Sequence, residues 1–105
     1  MDQNKIQEMQ ILEQNIQNLL LQKQAFEMEL SETKSALKEI EKAKDDIFKI
    51  IGQLMIKADK NKVKEELTNK KKILDLRLST IEKQEKSLME KSTSLREEVM
   101  KQSKK

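Results

Sequence analysis

Met9, Ile16, Lys23, Leu30 and Leu37 stand seven residues apart, and Leu12, Leu19, Phe26, Thr33 and Ile40 repeat that interval three residues further on. Two such rows form one stripe on an α-helix, the a/d seam of a coiled coil. The seam runs from about residue 5 to residue 43 with no proline or glycine to break it, and strong helix formers (Gln, Glu, Lys, Leu) fill the other positions. The pattern returns with Leu67, Leu74, Ile81, Leu88 and Leu95, accompanied by Lys71, Leu78, Glu85, Ser92 and Val99. We expect helices over about 3–43 and about 60–102, the second N-capped by Asp59 or Asn61. At 1.5 Å per residue each would be about 60 Å long.

Folded back on itself, the chain aligns both rows in one register. Leu37 then faces Leu67, Leu30 faces Leu74, Lys23 faces Ile81, Ile16 faces Leu88 and Met9 faces Leu95. The companion row sets Ile40 with Lys64, Thr33 with Lys71, Phe26 with Leu78, Leu19 with Glu85 and Leu12 with Ser92. This agreement favours an intramolecular antiparallel coiled coil over two independent helices. Polar residues face Leu12 and Leu19, and Ile6, Ile11, Leu20, Leu21, Met89 and Met100 lie off the seam. These are either ordinary helix-face residues or an apolar surface offered by a slightly splayed free end.

Composition narrows the functions open to such a chain. Of 105 residues, 39% are charged and 2% aromatic, which argues against a conventional globular core, and regular apolar spacing argues for a coiled coil over disorder. A two-helix seam is narrow, so further stability is expected from oligomerisation. Cysteine and histidine are absent, which removes disulfides, thiolate zinc sites and the usual nucleophile–base pairs. There is no glycine-rich phosphate loop or metal-ligand cluster, and Asp45-Asp46 and Glu65-Glu66 read as surface or helix-end charge, so no enzyme, cofactor or metal is expected. The net charge of +3 is mixed, and dense arginine clusters and stacking aromatics are missing, so nucleic acid is not an expected partner. The basic end Lys101-Gln102-Ser103-Lys104-Lys105 reads as a solvated tail. With no signal-peptide block and no membrane-length apolar run, a soluble cytoplasmic protein is expected.

The heptads are interrupted once, at about 46–58. Ile47, Lys49 and Ile51 alternate with Phe48 and Ile50, then Leu54 and Ile56 with Met55 and Lys57, the two-residue period of strands. Between them Gly52, the only glycine, and Gln53 suit a type II′ turn, which requires a positive φ at its first central residue. Both faces of this β-hairpin are largely apolar, and isolated hairpins are marginal in water. Hairpins of several subunits are therefore expected to join in a shared sheet or barrel. The alternative is a helix–helix loop whose apolar residues cap the end of the coiled coil.

Asp46-Ile47-Phe48-Lys49-Ile50-Ile51-Gly52, Leu54-Met55-Ile56-Lys57 and Lys62-Val63-Lys64-Glu65-Glu66-Leu67 resemble the corresponding segments of β-type prefoldin subunits. Gln22-Lys23-Gln24, Glu32-Thr33-Lys34-Ser35-Ala36-Leu37 and Ile81-Glu82-Lys83-Gln84-Glu85 are similar to archaeal members. The likeness covers nearly the whole chain; Phe48 departs from it where a tyrosine is common, and the single hairpin matches the β type, since α-type subunits have two. It implies a single mainly α domain over 1–105, a coiled-coil hairpin of two helices joined by one β-hairpin that assembles into an intersubunit β-barrel. It further implies an α2β4 hexamer with α-type and other β subunits, which holds unfolded polypeptides at its coiled-coil tips without nucleotide and passes them to a group II chaperonin. The residues expected to meet clients are then Ile6, Met9, Ile11, Leu12, Leu95, Val99 and Met100, and those expected to join subunits are Ile47, Phe48, Ile50, Ile51, Gly52, Leu54, Met55 and Ile56. The competing function is a coiled-coil adaptor or tether for one defined partner. The register has a direct test: cysteines replacing Ile16 and Leu88 are expected to cross-link within one chain, and failure there with success in a shifted pair would overturn it.

Overall fold

A computed structural model describes residues 3–103. Helix α1 spans Gln3–Lys42, strand β1 Ile47–Ile51, strand β2 Leu54–Ala58 and helix α2 Lys60–Ser103. Met1, Asp2, Lys104 and Lys105, including most of the charge of the basic tail, lie outside the described residues.

Local chemistry sets the helix ends. Asp59 is the N-cap of α2: its Oδ1 accepts from the Asn61 N–H at 3.0 Å, while its carbonyl accepts the first helical bond, from the Val63 N–H. Asn61 therefore lies inside the helix. At the end of α1, the Ala43 N–H is shared between the Glu39 and Ile40 carbonyls, and the Lys60 ammonium donates to the Ala43 carbonyl at 2.9 Å. A cation at a helix C-terminus satisfies an orphan acceptor and complements the dipole.

By compactness the chain divides into two units, one of Phe26–Arg77 and one holding the described residues up to Ala25 with those from Leu78 onward. A two-helix seam lets each side chain meet only partners a turn or two away, so compactness is local where the sequence reading has one domain.

In the unit Phe26–Arg77, Leu74 is 2% exposed and Thr33 is buried, its hydroxyl satisfied by donation to the Glu29 carbonyl at 2.8 Å. Phe26, Leu30, Leu37, Ile40, Leu67 and Lys71 are half-buried along the same seam. The Arg77 guanidinium lies 5.6 Å from the centre of the Phe26 ring, a cation–π contact. Ion pairs Glu29–Lys70 (3.2 Å) and Glu41–Lys64 (3.7 Å) run antiparallel along the helices. One seam expectation changes: Lys64 is exposed, and Val63 is half-buried instead. An ammonium is better left in water, and the 3.6-residue helix drifts against a strict heptad, so an apolar neighbour can take the inward position.

In the other unit Leu78, Ile81, Ser92 and Leu95 are buried, and Met9, Leu12, Ile16, Leu19, Leu88 and Val99 are half-buried. Lys5–Glu98 pair at 3.3 Å and Lys23–Glu85 at 3.2 Å, again antiparallel. The second pair sits within the seam, its side chains keeping 25% and 20% of their exposure. The heptad alignment set Lys23 against Ile81 and Leu19 against Glu85. Their length lets the two charged groups reach one another diagonally, so neither is left facing an aliphatic partner alone. A double-mutant cycle of Lys23→Ala and Glu85→Ala is expected to give a coupling of about 1 kcal/mol in urea unfolding, and strict additivity would contradict the pairing.

Candidate functional site

The strand pattern carries through to the pairing. β1 and β2 are antiparallel with partners Ile47↔Ala58, Phe48↔Lys57, Lys49↔Ile56, Ile50↔Met55 and Ile51↔Leu54. Cross-strand partners share a face. One face therefore carries Ile47, Lys49, Ile51, Leu54, Ile56 and Ala58, and the other Phe48, Ile50, Met55 and Lys57. The reversal is the two-residue turn Gly52-Gln53, and Gly52 has φ 61°. Among the described residues no other has a positive φ, which fits a type II′ turn and excludes type I′. An added Cβ at Gly52 would meet nothing within 4 Å, so only backbone conformation demands glycine there.

Phe48, Ile50, Ile51, Leu54, Met55 and Ile56 are all exposed, Ile50 to 73% and Met55 to 68%; only Ile47 and Lys49 in β1 and Ala58 in β2 are half-buried. Six large apolar side chains within twelve residues make a patch that a lone subunit in water does not favour. The sheet has two strands, so each also has an outward edge of backbone donors and acceptors. The hairpin is tied down by charge. Lys49 pairs with Glu66 of α2 at 2.6 Å, and Lys57 with Asp46 before β1 at 3.3 Å. The sequence alone reads these acids as surface or helix-end charge; here each holds a strand lysine. Lysines at alternating strand positions with acids flanking the strands were the available signal, one that a count of net charge averages away. Met28, Ile73 and Leu76 are exposed in the same unit and were not anticipated.

The residues expected to meet clients lie in the other unit and divide by accessibility. Ile11 and Met100 are exposed, as are Leu20, Leu21 and Met89. Ile6, Met9, Leu12 and Val99 are half-buried. Leu95 is 9% exposed, because it is a seam residue held against the facing helix, and it offers a client almost no surface while the helices stay paired. Among the described residues no group of His, Cys, Asp or Glu could hold a metal ion, and no helix is long and apolar enough to cross a membrane.

Comparison with known proteins agrees with this architecture. A family model described as prefoldin subunit matches residues 3–105. The prefoldin subunit beta of Thermococcus onnurineus is 43% identical over 89 residues, covering 83% of this chain and 77% of that protein. That of Methanothrix thermoacetophila is 35% identical over 99 residues, covering 92% and 82%. The crystal structure of the prefoldin beta subunit from Thermococcus strain KS-1 superimposes with a TM-score of 0.86 at 35% identity, over 94% of this chain and 89% of that one. The beta2 subunit from the same strain shares the fold, with a TM-score of 0.73 at 19% identity over 83% and 95%. Two heptad helices joined by one apolar hairpin, with relatives of this similarity over most of the chain, place it in the prefoldin subunit family of chaperone components, among the beta-type subunits.

Proposed function

We propose that the chain is one subunit of an ATP-independent holdase, an α2β4 hexamer in the cytoplasm, whose hairpins join subunits in a β-barrel and whose helices hold non-native polypeptides for transfer to a group II chaperonin. The observation that carries this reading is the hairpin: Phe48, Ile50, Ile51, Leu54, Met55 and Ile56 are exposed on both faces and both strand edges are open. Pairing edges and covering two apolar faces together requires other strands, and neighbouring subunits with the same element supply them. Client capture rests on the second apolar set. Ile11 and Met100 meet a client directly, while Ile6, Met9, Leu12 and Val99 add area as the helices part; Leu95 contributes only after parting. Contacts of this kind are individually weak, unbranched methionines adapt to varied shapes, and several subunits acting together give useful avidity.

Assembly has two independent tests. Gly52→Val strains the turn, and Ile50→Asp puts a charge on the patch. Both are expected to lower the native mass of the complex with an α-type subunit while leaving helical circular dichroism mostly intact, and unchanged mass in both would contradict the barrel. The holdase reading is tested by aggregation of a chemically denatured protein. Suppression is expected without ATP and strongest with the α-type subunit present. A complex that suppresses nothing, yet binds one folded protein tightly, is an adaptor.

A further inference from the structure

The chain has no cysteine, histidine, tryptophan or tyrosine, so methionine is the one side chain that a mild peroxide oxidises readily. Met55 is 68% exposed, paired across the hairpin with Ile50 on the face that also bears Phe48. We propose that Met55 is an oxidation site that controls assembly: its sulfoxide leaves the subunit folded but bars the hairpin from the joint. This rests on the assembly reading above.

The chemistry needs only a hydroperoxide. The thioether sulfur attacks the O–O bond and takes one oxygen as the S–O bond forms; sulfur is oxidised by two electrons, and the peroxide leaves as an alcohol or, from hydrogen peroxide, as water. Exposure decides the consequence. In the free subunit the sulfoxide stays in water, so the fold loses nothing. In a joint that covers the Phe48, Ile50 and Met55 face, the same oxygen is buried without a designed donor, which is unfavourable. The joint in turn shields the sulfur, so oxidation falls on unassembled subunits and removes them from the assembling pool. Met28, Met89 and Met100 are exposed too, but on helices, where a sulfoxide does not enter the hairpin joint.

The test uses hydrogen peroxide on the full chain, quenched before mixing with an α-type subunit, with native mass and helical circular dichroism as readouts. Wild type is compared with Met55→Leu, treated and untreated. Treated wild type is expected to keep its helicity and to need at least about tenfold more protein to assemble, while treated Met55→Leu assembles as before. Assembly of treated wild type at the untreated concentration overturns the proposal, and so does loss of assembly in treated Met55→Leu. If untreated wild type fails to assemble, the fault lies with the assembly reading itself.

Discussion

This molecule is organised around a two-stranded sheet that has apolar side chains on both faces and, among the described residues, no third layer to cover them. An isolated two-stranded hairpin is marginal in water. Here Ile50 and Met55 on one face and Ile51 and Leu54 on the other are all exposed. The chain still forms the hairpin because its local rules agree: β-branched strands, a glycine at the one position where φ must be positive, and lysines held by Glu66 and Asp46 at either strand. Surface ion pairs contribute little to stability. Lys49–Glu66 links the hairpin to α2, and Lys57–Asp46 links β2 to the segment just before β1.

The helices show a second compromise. A seam of Leu and Ile alone would be more stable, yet each unit carries polar seam residues: Thr33 and Lys71 in one, Lys23, Glu85 and Ser92 in the other. Three of them are reconciled by a local device. Thr33 returns its hydroxyl to its own helix, and Lys23 and Glu85 neutralise each other. Replacing such a pair by aliphatic residues is often neutral or stabilising, so its presence points to something other than maximal stability. A seam of moderate strength is what the client capture proposed above requires, since Met9, Leu12 and Val99 are half-buried while the helices stay paired.

Much of this was legible in the sequence. Apart from Lys64, every residue assigned to the two heptad rows is buried or half-buried, because a period of seven is a direct statement about one helix face. The hairpin was legible for the same reason, with a period of two and one glycine. The rest depended on side-chain reach. Lys23 and Glu85 were placed one turn apart by backbone register, and only their length brings them together. Lys60 on the Ala43 carbonyl joins residues whose proximity the hairpin creates. Leu95 shows the limit of reading a site from apolarity: apolar type alone does not tell a buried seam position from an accessible one, and Leu95 is 9% exposed.

Hydrogen–deuterium exchange across residues 47–58 tests the central claim most directly, comparing the dilute chain with its complex with an α-type subunit. The account expects the outward-edge amides of β1 and β2 to exchange readily in the free chain and to become strongly protected on assembly. Protection confined to the helices, with the hairpin amides unchanged, would contradict it.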